Sequence, residues 1–177
     1  SLGGSQTLTA KLAEQLAACY GDEVTVFTSV ARNINYFWGD DTQALPAGST
    51  QSNGVTVRRF PVSRRLSRVR WLLSGVAYRL RLPYNDWLRT WQTGPFMIGL
   101  RQAVAQSGAD VIFATAFPLW HMYDALAGAK QANIPIVLLG ALHLADAWGY
   151  DRPLIYRAIR QADAYIAHTP YERGYLI

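Results

Sequence analysis

Hydrophobic positions follow a helical spacing at the start of the chain and a strand pattern directly after it. Apolar residues three and four apart predict a helix over residues 5–20, which Gly21 would end. Two β-rich runs, residues 23–28 and Val55–Phe60, predict strands, and the second follows a turn signal. The polar stretch between them, residues 32–53, predicts a long loop with an aromatic tip.

A helix is predicted over residues 66–82, and from residue 94 onwards helical and strand patterns alternate. Helices are predicted there over residues 94–106, 119–132 and 152–161 and from residue 169, and strands over residues 110–115, 134–139 and 164–167. The strands are short and almost continuously apolar, as expected for strands covered on both faces. The alternation predicts one Rossmann-like α/β domain over residues 1–177, with a parallel sheet flanked by helices. Ligands of such sheets bind beyond the carboxyl ends of the strands.

The start of the chain predicts a gap in this sheet. In this architecture a helix introduced by a glycine pair usually follows a strand, and no strand pattern precedes Gly3-Gly4. We therefore expect the first strand of the sheet to be absent, with a gap beside the Gly3-Gly4 loop.

Composition narrows the class of protein. A length of 177 residues, half of them hydrophobic, suits one globular domain. Cys19 is the single cysteine, which excludes an internal disulfide and fits a reducing compartment. Cys19 lies on the apolar stripe of the first predicted helix, so we expect it to be buried. No apolar run reaches the roughly 18 residues that indicate a membrane span.

The positive charge of the chain is concentrated in one segment. Nine arginines and one acid, Asp86, lie between residues 55 and 93, whereas the rest of the chain is slightly acidic. Tryptophans, tyrosines and leucines are interleaved with these arginines. Seven residues form the candidate membrane or anionic surface: Arg64, Arg65, Arg68, Arg70, Trp71, Arg79 and Arg81.

Two main interpretations of this basic segment stay open. Arginines beside indole rings suit an anionic membrane surface. The alternative is an amphipathic helix that packs on the sheet and keeps its arginines in water. Nucleic acid is a third possibility, because arginine and aromatic rings also bind phosphate and bases, but we do not expect it as a partner.

Several stretches resemble the N-terminal domain of the retaining glycosyltransferases of family four, the "group 1" transferases with the GT-B fold. Their order and spacing are similar to those of the family over most of the chain, except residues 32–52 and 64–93. The matching stretches are residues 3–6 (GGSQ), 12–17 (LAEQLA), 21–28 (GDEVTVFT), 53–61 (NGVTVRRFP), 110–114 (DVIFA), 132–137 (ANIPIV) and 160–169 (RQADAYIAHT).

The resemblance implies an activity and a partner domain. Such proteins transfer a sugar, with retention of configuration, from a nucleotide-diphosphate sugar to an acceptor hydroxyl. The donor is a substrate, and neither a cofactor nor a metal is implied. A C-terminal domain of the same protein, with a Glu-x7-Glu motif, binds the donor; nothing in these 177 residues corresponds to it, so the isolated chain should be inactive. The acceptor would be a small molecule or a lipid-linked molecule.

The resemblance also implies site residues. Gly3 and Gly4 lead into a helix N-terminus, where backbone N–H groups favour a phosphate of the donor. His143 follows the strand 134–139 and would face the transferred sugar as the candidate catalytic residue. The alternatives without a functional role are a plain turn for the glycine pair and a histidine bonded to backbone for His143. The absence of Gly-x-Gly-x-x-Gly disfavours a nicotinamide site.

Candidate acceptor contacts follow the strand 110–115. Thr115, Phe117 and His121 lie in or near the loop that would face the cleft, although His121 has a structural role as its alternative. No metal-ligand spacing joins the three histidines. A cytoplasmic location, with peripheral binding at the inner face of a membrane, fits these expectations. The alternative function is a non-enzymatic Rossmann-like module that binds a membrane or a glycan.

Overall fold

A computed structural model describes residues 4–38, 42–140, 142–143 and 145–176. Within these residues, the helices are α1 (Gly4–Gln15), α2 (Asn35–Trp38), α3 (Ser67–Arg79), α4 (Asn85–Thr93), α5 (Leu100–Ala105), α6 (His121–Ala132), α7 (Pro153–Gln161) and α8 (Pro170–Leu176). The strands are β1 (Thr25–Ser29), β2 (Gly48–Ser52), β3 (Val55–Phe60), β4 (Val62–Ser63), β5 (Phe96–Met97), β6 (Ile112–Thr115), β7 (Ile136–Leu139) and β8 (Ala164–Ile166).

The predicted parallel sheet is confirmed in the second half of the chain. Strands β6, β7 and β8 pair in parallel in that order, with Ala114 opposite Leu138 and Leu138 opposite Tyr165. Ile136 and Leu138 are fully buried, because helices cover the middle strand. The buried core centres on α5, α6 and β7 and extends to α7. The chain is therefore an α/β protein with a Rossmann-like sheet.

The first half forms a separate three-stranded sheet in the order β1-β3-β2. Strands β1 and β3 are parallel, and β2 runs antiparallel to β3 across a turn at Asn53-Gly54, where both residues have positive φ. Within the described residues no strand pairs with the free edge of β1 or with that of β6. Gly3 lies outside the described residues, so the expected gap beside the Gly3-Gly4 loop stays a prediction.

Two local predictions were wrong, and one helix was missed. Residues 32–53 are not one loop, because they contain α2 and β2. Residues 94–106 are not one helix: Gly94-Pro95 is a cis peptide, and β5 then pairs antiparallel with β4 before α5 begins. Helix α4, which precedes this turn, was not predicted at all.

Cys19 is exposed, which corrects the expectation that it is buried. Residues Leu16–Tyr20 form a π-helical turn that contains no buried residue. Such a turn adds a residue to the helical repeat and so displaces Cys19 from the stripe that a regular helix would bury. Gly21 ends the helix in the left-handed conformation, as predicted.

Candidate functional site

The carboxyl ends of β6, β7 and β8 meet at one edge of the second sheet, since the three strands are parallel. Three segments leave this edge: the turn after Thr115, the loop between β7 and α7, and the short connection from β8 to α8. Ligands of parallel α/β sheets bind at this edge. We refer to it as the carboxyl edge.

His143 lies in the loop that follows β7, and its side chain is exposed. Its imidazole packs edge-on against the ring of Tyr150, with the ring centroids 4.9 Å apart. Its carbonyl accepts a hydrogen bond from the backbone N–H of Asp146 at 2.8 Å. The imidazole is therefore accessible to a ligand at the carboxyl edge, while the backbone that carries it is part of an ordered turn.

Arg89 holds the loop between β7 and α7, here called the His143 loop, at Ala147 and Trp148. This arginine of α4 is 5 % exposed, and its guanidinium donates hydrogen bonds to the carbonyls of Ala147 and Trp148, at 2.7 and 2.8 Å. The same group lies over the rings of Tyr78 and Trp148. Charge-assisted hydrogen bonds from a rigid guanidinium fix the backbone firmly. The helix that the sequence did not predict therefore positions the candidate catalytic loop.

A charged network centred on Asp86 supports Arg89. Asp86 forms an ion pair with Arg152, with 3.2 Å between its Oδ1 and the arginine Nε, and its other oxygen accepts a hydrogen bond from the N–H of Leu154 at 2.7 Å. Arg152, which is 1 % exposed, also donates to the hydroxyl of Thr90. This network ties α4 to the start of α7. Burial lowers the pKa of Arg89, and the neighbouring charge of Arg152 lowers it further.

Glu172 holds the same loop at Leu142, the residue before His143. This residue of α8 is 3 % exposed, and its carboxylate accepts hydrogen bonds from the N–H of Leu142, the N–H of His168 and the hydroxyl of Tyr165. Burial and the bond to Glu172 raise the pKa of Tyr165. One carboxylate of α8 thus binds the segments that follow β7 and β8. Its partner after β7, Leu142, directly precedes His143.

Gly140 allows the three strand ends to approach each other. A Cβ atom at this position would lie 2.7 Å from the hydroxyl of Tyr165 and 2.9 Å from the ring of Phe117. Both distances are shorter than van der Waals contact, so only glycine fits without a shift of its neighbours. The end of β7 is therefore packed on both sides.

His121 and Thr115 contact each other. Nε2 of His121 lies 2.8 Å from the carbonyl oxygen of Thr115 and donates to it, because a carbonyl only accepts. Desolvation lowers the pKa of His121. Its Nδ1 is buried and has no hydrogen-bond partner in the described part of the chain. This contact fixes the turn after β6, which agrees with the structural alternative for His121.

The other predicted site residues are placed differently. Phe117 is 4 % exposed and belongs to the core, where it packs edge-on against Tyr123. An apolar ring at the end of a buried strand gains more from this packing than from solvent, so its side chain is not presented to an acceptor. Gly4 begins α1, and Gly3 lies outside the described residues; a phosphate site at this pair stays a prediction.

The basic segment forms a helical hairpin of α3 and α4 between β4 and β5, and the pairing of these two strands closes its base. Arg70, one of the predicted surface arginines, is instead 4 % exposed and stacks on Phe96 at 4.4 Å, because the α3–α4 interface encloses it. Arg64 lies over the ring of Tyr36. The remaining predicted members are exposed: Arg65, Arg68, Trp71, Arg79 and Arg81.

Sequence reasoning missed Arg89, Arg152 and Glu172, the buried charged residues that hold the His143 loop and its support. One signal was available: Asp86 is the single acid among nine arginines, and a lone acid in such a segment suggests an internal ion pair. Nothing in the local pattern distinguished Glu172 from the acids that lie in solvent.

A groove of about 450 Å³ lies between α5 and α6. Its charged lining residues are Arg101 and Asp124. Desolvation raises the pKa of Asp124 to about 6, and Arg101 and a hydrogen bond from Trp120 oppose this shift only in part. Asp124 therefore releases its proton at a higher pH in the folded chain than in the unfolded chain.

This shift predicts a dependence of stability on pH. Because the pKa is raised in the folded state, the stabilising contribution is complete below about pH 4 and is lost as the pH rises towards about 6. The Asp124→Asn variant should lack that loss, so its free energy of unfolding relative to the unaltered chain should rise over this window. Urea denaturation at several pH values measures it. Asp110→Asn, at an exposed acid, is the control, and a difference independent of pH for Asp124→Asn would contradict the assignment.

Two further properties concern ligands and membranes. Among the described residues, no group of three or more His, Cys, Asp and Glu side chains is placed to hold a metal ion. No helix within the described ranges is both long and apolar enough to cross a membrane.

The fold is that of a Rossmann-like α/β domain, an architecture in which ligands bind beyond the carboxyl ends of the parallel strands. The model of the glycosyl transferase 4-like domain family matches residues 3–177, and the chain belongs to this family. The resemblance found in the sequence is thereby confirmed, and the family is one of glycosyltransferases. No curated protein sequence and no solved structure gives a significant match to the chain.

Proposed function

We propose that this chain is the acceptor-binding domain of a retaining glycosyltransferase that uses a nucleotide-diphosphate sugar. The observation that carries the proposal is the family match over residues 3–177. The exposed imidazole of His143 at the carboxyl edge supports it, since ligands of this architecture bind there. The acceptor would be a small-molecule or lipid-linked hydroxyl compound that binds beside the turn after Thr115.

The reaction replaces one bond at the anomeric carbon of the sugar. The bond from that carbon to the nucleotide diphosphate breaks, a bond to the acceptor oxygen forms on the same face, and the acceptor proton leaves with the diphosphate. Catalysis then depends on positioning and on stabilisation of the leaving diphosphate. His143 would donate or accept a hydrogen bond with a hydroxyl of the transferred sugar. A C-terminal domain would bind the donor, with its diphosphate near Gly3 and Gly4.

The stereochemistry of the product tests this proposal. A protein that joins this chain to its donor domain should transfer sugar from a nucleotide-diphosphate sugar, and the anomeric coupling in the proton NMR spectrum should show retained configuration. An inverted product, or no transfer with any member of a panel of nucleotide sugars, would overturn it.

His143→Ala should lower kcat for this transfer about tenfold, because one hydrogen bond to the reacting sugar is lost. Steady-state kinetics of the two-domain protein measures the effect. His168→Ala is the matched control: this histidine is also exposed beyond a strand of the same sheet, and only its backbone N–H bonds to Glu172. Equal losses in the two variants would show that His143 has no specific role.

A further inference from the structure

Helix α3 buries a stripe that contains two polar residues, and it exposes its large apolar residues. Its buried residues, Arg70, Ser74 and Ala77, follow the spacing of one helical stripe and pack towards α4. A helix on the surface of a soluble domain shows the opposite arrangement, with apolar residues inside. The outward face of α3 therefore requires an explanation that packing within the described chain does not supply.

A second stripe lies on the outward face. It consists of apolar residues three and four apart, each between 44 and 62 % exposed: Val69, Leu72, Leu73, Val76 and Leu80. The connection to α4 continues it with Leu82 and Tyr84, which are 43 and 82 % exposed. We refer to these seven residues as the apolar stripe. Soluble monomers rarely expose so many large apolar side chains together, and such patches mark interaction surfaces.

Basic side chains lie beside the apolar stripe. Arg68 and Arg79 project from α3 next to the stripe, and Arg65 and Arg81 flank the two ends of the helix; all four are exposed. Within the described residues no carboxylate forms an ion pair with any of the four. Trp71 is 68 % exposed. Asp86, the one acid of the hairpin, is engaged by Arg152.

We propose that this face of the α3–α4 hairpin docks on the surface of an anionic lipid bilayer. The apolar stripe would enter the boundary between headgroups and acyl chains, and the arginines would bind lipid phosphates. Tyr84, at the end of the apolar stripe, suits the headgroup level, where amphipathic rings accumulate. A helix of 13 residues lies in this interface and does not cross it.

Charge complementarity favours a bilayer over a second copy of this chain. A symmetric dimer brings the same patch of both copies together. Arg68 and Arg79 of one copy would then approach those of the other without an intervening acid, which costs free energy. An anionic membrane instead provides negative charge over the whole face.

The docking face is coupled to the carboxyl edge. Tyr78 of α3 packs edge-on against Trp148 at 4.5 Å, and Arg89 of α4 binds the carbonyls of the same loop. A hairpin held at the membrane would therefore place the His143 loop near the lipid surface. This makes a lipid-linked acceptor the natural substrate class, a corollary that rests on the proposed function; the docking itself does not.

Cosedimentation of the 177-residue chain with vesicles tests the docking. We expect binding to an equal mixture of phosphatidylcholine and phosphatidylglycerol, little binding to pure phosphatidylcholine, and loss of binding at high salt. Arg68→Gln with Arg79→Gln should weaken the partition coefficient about 30-fold. The matched control, Arg157→Gln with Arg160→Gln, removes the same charge from exposed positions of α7 and should retain most of the binding.

A second pair tests the apolar stripe. Leu72→Gln with Val76→Gln should abolish binding, whereas Ile98→Gln with Val111→Gln, at exposed apolar positions elsewhere, should not. Circular dichroism shows that each variant is folded. Equal binding to neutral and anionic vesicles, no binding to either, or sedimentation as a dimer that the stripe variant dissociates would each overturn the proposal. The assay needs no sugar transfer, so a failure of the proposed function leaves its result unaffected.

Discussion

The Asp86→Ala variant is expected to unfold with a free energy about 3 kcal/mol lower than that of the unaltered chain. The carboxylate lies 3.2 Å from Nε of Arg152 and accepts the N–H of Leu154. Its removal leaves the guanidinium of Arg152, which is 1 % exposed, without a counter-ion in the interior. The side chain of Asp86 is itself 21 % exposed, so we expect the lower end of the range for broken buried ion pairs.

Urea denaturation followed by circular dichroism measures this loss. Asp110→Asn is the control, because Asp110 is an exposed acid in a loop and its replacement should change the free energy of unfolding by less than about 0.5 kcal/mol. If Asp86→Ala cost no more than this control, the network between α4 and α7 would not be a stabilising feature. The support that it gives to Arg89 would then also be in doubt.

Gly128→Ala is expected to destabilise the chain by up to about 3 kcal/mol. This glycine of α6 faces α5, and a Cβ atom would lie 2.5 Å from the carbonyl oxygen of Arg101 and 2.9 Å from Cβ of Val104. The first of these atoms belongs to the backbone, so no side-chain rotation relieves the overlap. The two helices would have to separate, and the core between them would lose contacts.

Gly75→Ala is a matched control, which we expect to raise the stability of the chain instead of lowering it. Gly75 also lies within a helix, α3, but a Cβ atom there would meet no other atom within 4 Å. Alanine restricts the unfolded chain and favours the helix, so stability should rise by about 0.5 to 1 kcal/mol. Thermal and urea denaturation of both variants measure the difference. Stabilisation by both variants would show that helix propensity, and not helix packing, decides the outcome.

The local pattern predicted the elements that carry a regular run or stripe of apolar residues. Strands β3, β6, β7 and β8 and helices α3, α6 and α7 lie within two residues of their predicted bounds or inside them. Burial of apolar surface, the main force that selects a conformation, acts on most of these elements, whereas the apolar stripe of α3 is exposed.

The elements that the pattern missed are held by other forces. Strand β2 is exposed at all five positions and exists because it pairs with β3 through backbone hydrogen bonds. Helix α4 buries Arg89 and Thr90, two residues that a hydrophobic pattern counts as solvent-facing. Strand β5 forms by pairing with β4, which lies more than thirty residues earlier. Such long-range contacts are not visible in a local window.

The sequence by itself determined the α/β class, the family and the alternation of helices and strands that predicts a parallel sheet, because these follow from short-range periodicity and from motifs with fixed spacing. Only the tertiary structure decided which charged residues are internal. Arg70, Arg89, Arg152 and Glu172 are indistinguishable from surface residues along the chain, yet ion pairs, carbonyls and aromatic rings from distant segments surround them. The tertiary structure also places the leucines of α3 on the outside, because Arg70 and Ser74 occupy the inner face of that helix.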